Sequence, residues 1–395
     1  MYIYLIGFTI SCLLIGVAQK QIFSKQLFFL LSSVAIIIPC IIAALRSDVI
    51  GTDTSVYLRN LYTAAIESTS YKGYMNSSWF SIYRIKYVYE YEYGFTFLIY
   101  IFSKLFHSIH VVEFAVSSII ISLVYIGVIR YKSKSGLWLS MLVFYLLFYN
   151  TTLNMMRQWC AMAILIYSFK HLVACEKKYL IYTMIALLFH ITAVFGIFFY
   201  IIYNYIITNK VQGINQGGNN KRIKYYFKIN KFKISVNKII VILLVICSLA
   251  MVILVGYMSP FLKFLGLTKY ISYITGTYKF VPNQIILRLP ILLLVWIVRK
   301  KTLINKDIFL FFATMLMLDL VFSQLAGITE NSWRISVYFS IYNILFLPVI
   351  CDSTIFRGSK LIFKFFLIMY LLIYWYYYFV LIGSHATIPY VPYWN

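Results

Sequence analysis

Long apolar runs separated by short polar breaks organise this chain. Residues 2–18, 27–45 and 239–255 are unbroken stretches of this kind, and others recur to the end. A bilayer core takes about 20 apolar residues per helix. The runs do not alternate polar and apolar positions, as the strands of a transmembrane barrel do. They predict helices that cross a membrane. Hydrophobic residues make up 62% of the 395 residues and mean hydropathy is +0.84, well beyond the roughly half-apolar usage of soluble domains. The expected fold is all-α: a polytopic membrane protein of about twelve transmembrane helices, forming one integral membrane domain over 1–395.

The breaks set the expected orientation, because Lys and Arg collect in cytoplasmic loops. The first run lacks a basic start and a small-residue cleavage site, so it reads as a retained span. Lys20 and Lys25 follow it and should be cytoplasmic, which makes residues 46–93 an external loop and 208–238 a basic cytoplasmic loop. Keeping the other short basic loops inside requires 94–129 to cross once and 179–207 to cross twice, with His190 near an external turn. The competing arrangement, two spans in 94–129 and one in 179–207, places five basic residues outside. In the preferred arrangement Arg46, Asp48, Asp53, Glu92, Arg157, His190, Arg288, Glu330 and Arg334 all lie on or near the external face.

Net charge is +24, but the orientation rule and the anionic inner leaflet account for the basic excess without nucleic acid. The six cysteines show no CxxC or metal-ligand spacing and read as packing residues. No P-loop, dinucleotide fingerprint, HExxH or nucleophile elbow occurs, which argues against cytosolic nucleotide chemistry.

Arg46-Ser-Asp-Val-Ile-Gly-Thr-Asp-Thr, directly after an apolar run, is the most distinctive segment. Hydrophobic burial does not explain it, and a polar site for an anionic ligand at the membrane rim does. Gly-Thr-Asp-Thr also reads as a turn followed by a helix cap, which by itself accounts for Asp53. Only eleven acids exist, five of them in 46–93 and none between Lys177 and Lys306. A base must therefore be a loop acid, Glu330, the buried Asp319 or a histidine. Arg157 opens an apolar run and offers a fork suited to phosphate, or else it snorkels to lipid headgroups. His190, alone in an apolar run, has a plain packing role as its alternative. Glu330 and Arg334 are spaced for a simple helical ion pair.

Several of these segments occur together in an order that resembles the EpsG-like group of Wzy-type bacterial polysaccharide polymerases. They are Ala44-Leu-Arg46 with Gly51-Thr-Asp-Thr and Tyr57, then Glu92-Tyr-Gly-Phe, then Arg157-Gln158 with Ala161. Phe189-His190 with Ala193, Arg334 with Tyr338 and Phe339, and Pro389-Tyr390 complete the order. The resemblance implies a fold similar to the multi-spanning lipid-carrier glycosyltransferases. It also implies glycosyl transfer at the outer face of the bacterial cytoplasmic membrane, joining undecaprenyl-pyrophosphate-linked repeat units into O-antigen, capsule or exopolysaccharide. Donor and acceptor are both such lipid-linked glycans, and a flippase and a chain-length regulator are implied neighbours in the membrane.

That chemistry needs cations on the departing pyrophosphate, for which Arg46, Arg157, Arg288 and Arg334 are available. It also needs a base on the attacking hydroxyl: Asp53 first, His190 second, Glu92 third. Tyr71, Tyr74 and Trp79 are candidate sugar platforms in the external loop. No cofactor is expected, and metal-independent transfer is the default. A lipid-linked oligosaccharide flippase and an O-antigen ligase are the alternatives.

Overall fold

The computed structural model describes every residue except 21–23, 82–83, 133–135, 209–225, 230–231, 255–262, 264–277, 300–301, 329–331, 354–356 and 395. The first half of the chain forms α1 (Tyr2–Ala18), α2 (Lys25–Ala44), α3 (Arg59–Glu67), α4 (Tyr71–Asn76), α5 (Tyr93–Phe106) and α6 (Ile109–Lys132). Next come α7 (Leu137–Phe144), α8 (Asn150–Thr152), α9 (Met156–Val173), α10 (Lys178–Leu187) and α11 (Phe195–Ile201). The second half holds α12 (Val236–Leu254), α13 (Pro282–Val298), α14 (Lys306–Ser323), α15 (Arg334–Ser340), α16 (Asn343–Asp352) and α17 (Arg357–Trp375). Two small antiparallel hairpins are present: β1 (Ser78–Phe80) with β2 (Ile85–Tyr87), and β3 (Tyr226–Ile229) with β4 (Phe232–Ser235). The second lies in the expected basic loop, most of which falls outside the described residues.

The all-α expectation holds, but twelve crossings are not established by helix length. Five helices are long and apolar enough to cross a membrane: Lys25–Ala44, Ile109–Tyr131, Lys306–Gly327, Arg334–Asp352 and Lys360–Leu381. Seven further apolar helices among the described residues are shorter, at 10–17 residues. Within 94–129, α6 has spanning length and α5 has 14 residues.

Residues 179–207 form two helices that fold back on each other. Tyr179 stacks on Tyr200, and a Cβ on Gly196 would meet the Thr183 side chain, so the chain reverses around His190. The segment expected to be the external loop has secondary structure of its own. It carries α3, α4 and the first hairpin, and the helical stretch from 54 to 67 runs beside α5. Tyr57 meets Phe95 near one end, and Lys104 donates to the Ile66 carbonyl at the other.

At the centre is α9, nearly every residue of which is buried. It packs against α6 and α10, while α2 packs against α1 and α6. Gly127 lets α6 and α9 approach closely, because a Cβ there would sit 2.9 Å from the Ile166 backbone.

One buried backbone group inside the bundle is satisfied from a neighbouring helix, as a lipid environment favours. Pro39 within α2 cannot donate to the Ala35 carbonyl one turn back. Ser11 of α1 donates to that oxygen instead, at 2.7 Å, and its hydroxyl also meets Tyr145 at 2.8 Å.

Candidate functional site

The Arg46–Thr54 segment is held from two sides. The carboxy-terminal stretch threads back along it: Ser47 N–H donates to the Val391 carbonyl, Gly51 N–H to Ala386 and Tyr393 N–H to Leu45. On the other side Gly51, at φ +77°, lies against the Leu153 backbone, where a Cβ would come within 2.5 Å of the carbonyl oxygen. Both the backbone conformation and the approach require glycine.

Asp53 follows, just before a π-turn (Thr54–Leu58) that leads into α3. Its carboxylate does not cap that helix. It accepts the Tyr57 hydroxyl one turn on, and it accepts the Met156 N–H at 3.2 Å. Met156 opens α9, so the carboxylate ties two helix starts together. Burial pushes the Asp53 carboxyl above its ordinary range, outweighing the lowering effects of the Tyr57 hydrogen bond, Arg157, Arg334 and the Met156 amide.

A cavity of about 510 Å³ opens beside it, with a mostly polar lining. Among the described residues, Lys86, Arg157 and Arg334 line it against a single carboxylate, Asp53. Arg157 donates to Glu92 Oε2 at 2.5 Å. Its guanidinium lies 5.0 Å and 4.9 Å from the ring centroids of Tyr57 and Tyr91. Aromatic faces and one carboxylate thus hold this cation in place. Arg334 is the first residue of α15, and its Nε, like that of Arg157, is buried without a hydrogen-bond partner among the described residues. The two arginines sit in the first turns of α9 and α15, where the helix dipoles add to the positive potential. The arrangement can hold an anionic group between arginines, beside a carboxylate placed to take a proton.

Asn154 and His385 complete the wall. Asn154 Oδ1 accepts from the Thr52 hydroxyl and from the Asp53 N–H, the latter at 3.3 Å. Its Nδ2 lies 2.9 Å from His385 Nδ1.

Not every expected site residue reaches this cavity. Arg46 turns inward: it pairs with Glu113 at 2.9 Å and donates to Thr54 Oγ1 and the Ala43 carbonyl. Arg46 and Glu113 are both about 2% exposed, so the guanidinium is already neutralised and enclosed. Arg288 is bound bidentately by Asp319 at 2.7 and 2.9 Å, and it also donates to Gln284. The expectation that these two arginines face pyrophosphate is corrected accordingly: each head is spent on a carboxylate, and neither lines the cavity.

His190 stands behind the cavity rather than in it. Its Nδ1 lies 2.6 Å from Thr192 Oγ1, which lies 2.9 Å from the Tyr338 hydroxyl. Burial lowers its pKa to about 4. Glu92 holds Arg157 and does not line the cavity.

Tyr74 is fully buried and Tyr71 packs on Phe97 and Tyr100. They are packing residues, not exposed sugar platforms. Trp79 stacks on Tyr91, a cavity residue. Glu330 lies outside the described residues.

Sequence reasoning missed His385, Asn154, Lys86 and Glu113. His385 carries no motif, and its neighbours in the chain are small. Asn154, three residues before Arg157, had the better signal: a polar residue at the mouth of a run that opens with an arginine.

No curated protein and no solved structure matches the chain. Residues 29–213, a stretch that contains Asp53, Glu92, Asn154, Arg157 and His190 but not Arg334 or His385, match the model of the EpsG family, and over that stretch the protein is EpsG-like.

Proposed function

We propose that the protein is a polysaccharide polymerase that joins glycan repeat units carried on undecaprenyl pyrophosphate, at the outer face of a bacterial cytoplasmic membrane. The observation that carries this reading is the cavity, lined among the described residues by three cations and one part-buried carboxylate. A diphosphate is the anion such a set fits, and the carboxylate faces the same space. Arg157 and Arg334 hold the pyrophosphate of the donor, the growing chain, with Lys86 adding charge at the rim.

The acceptor is a single lipid-linked unit. Asp53 takes the proton of its attacking hydroxyl as that oxygen bonds to the anomeric carbon of the donor. The bond from that carbon to phosphate breaks, and the electron pair leaves with the lipid pyrophosphate. A carboxylate raised by burial is the better base, since its conjugate acid lies closer to neutrality. Arg46 and Arg288 act at a distance, Arg46 by holding the Thr54 end of the motif and Arg288 by tying helices together. A flippase that delivers the units and a chain-length regulator are the expected neighbours in the membrane.

Deleting the gene tests this. Single repeat units should reach their final acceptor while polymer disappears. Lipid-linked units accumulating on the cytoplasmic side would instead identify a flippase, and free polymer that never reaches its acceptor would identify a ligase. In the complemented strain Arg157→Lys should leave the protein in the membrane and remove long chains, because an ammonium cannot reproduce the fork or its stacking on Tyr57 and Tyr91. Full-length polymer from that variant would refute the assigned role.

A further inference from the structure

His385 is the unusual residue of this site. It sits in the left-handed region at φ 71°, with Ala386 next to it at φ 49°, a conformation that costs a non-glycine residue energy and that persists where the surroundings enforce it. Trp333 and Phe379 pack around the ring. The ring lines the cavity, and its Nε2 is buried without a partner among the described residues.

The hydrogen-bond network fixes which nitrogen carries the hydrogen. The Asp53 backbone N–H can only donate, so the Asn154 atom that receives it must be the carbonyl oxygen Oδ1. The Asn154 amide nitrogen therefore faces His385 Nδ1 at 2.9 Å. Nδ1 accepts that N–H, which leaves the hydrogen of the neutral ring on Nε2. The ring is neutral across the physiological range, since burial, aided by the Arg334 charge, brings its pKa to about 3. The site thus contains a neutral N–H donor, oriented through Asn154 by the backbone of Asp53, with nothing in the described protein to receive it.

We propose that His385 is a catalytic residue that donates its Nε2–H hydrogen bond to the phosphate oxygen departing from the anomeric carbon, and that Asn154 is the positioning residue that sets its tautomer. The hydrogen stays on the ring. As the carbon–oxygen bond breaks and the electron pair collects on that oxygen, the donor stabilises the growing charge beside Arg334. A neutral donor adds stabilisation without trapping the product by a further full charge. This role rests on the polymerase reading, and it lies in a part of the chain outside the family match.

The test uses the full-length protein in membrane vesicles, supplied with lipid-linked repeat units extracted from a strain lacking the gene. His385→Ala should lower the elongation rate about 10²–10³-fold, the usual loss for one such donor, with little change in KM. His385→Gln, whose amide nitrogen can reach the place of Nε2, should recover most of that loss. Asn154→Asp sets an acceptor against Nδ1, so the neutral ring must move its hydrogen there. Only the doubly protonated ring would then keep Nε2–H. The new carboxylate should also raise the His385 pKa, so above the acid limb set by Asp53 the variant should lose activity as pH rises through that raised value, a limb absent from the wild type.

A full rate for His385→Ala, or a wild-type pH profile for Asn154→Asp, would overturn the inference. Asp53→Asn and Arg157→Lys, run alongside, separate the two levels. If both retain elongation, the polymerase reading of the cavity is wrong. If both lose it and the His385 variants do not, only the role of His385 falls.

Discussion

Asp53 shows how much one side chain's role depends on neighbours distant in sequence. Residues 51–54 alone favour a cap, yet the carboxylate receives a hydroxyl from Tyr57 and an amide from Met156, and caps nothing of its own helix. Its raised pKa has two consequences of opposite sign. The basic form vanishes as pH falls through the folded value, so elongation should show an acid limb above the ordinary carboxylate range near pH 4. The same shift means that the folded protein favours the protonated acid. Its contribution to stability is complete below the unfolded pKa and is lost as pH rises through the folded one. Asp53→Asn keeps both hydrogen bonds and no charge. It should therefore abolish elongation at every pH while leaving thermal unfolding at neutral pH unchanged or shifted upward. A lowered midpoint would show that the carboxylate is structural.

Among elements, the buried ion pairs act as fasteners. Arg288 on α13 clamps Asp319 on α14, with Ser336 on α15 at 3.4 Å. Arg46, just beyond α2, clamps Glu113 on α6. Removing one partner from such a pair leaves an uncompensated buried charge, at a cost of about 3–5 kcal/mol. Asp319→Ala should thus lower the detergent unfolding midpoint and the amount of protein in the membrane. Elongation per folded molecule should stay within a few-fold of wild type, because neither residue lines the cavity. Normal stability with lost elongation would mean that Arg288 reaches substrate after all.

For the whole molecule, the two ends of the sequence meet at one place. The carboxy-terminal stretch is bonded to Leu45, Ser47 and Gly51, and Tyr4 of α1 donates to the Thr387 carbonyl at 3.0 Å. Cutting the chain after Gly383 should abolish elongation while the helical bundle still inserts. It removes His385 and the three backbone hydrogen bonds to residues 45–51, worth about 1 kcal/mol each. Persistence of long polymer from the shortened chain would show that this stretch is dispensable.

Hydropathy alone determined that the protein is helical and membrane-bound, since a bilayer leaves backbone groups few other ways to be satisfied. Residue type and order singled out Asp53, Arg157 and Arg334, which the fold brings to one cavity. Only tertiary structure decided which arginines remain available. A guanidinium suits phosphate and carboxylate equally, and the sequence does not tell which of them it will meet. Arg46 and Arg288 met Glu113 and Asp319, acids 67 and 31 residues away. His385 became part of the site through a chain reversal and a hydrogen-bonded amide, neither of which leaves a periodic trace in the sequence.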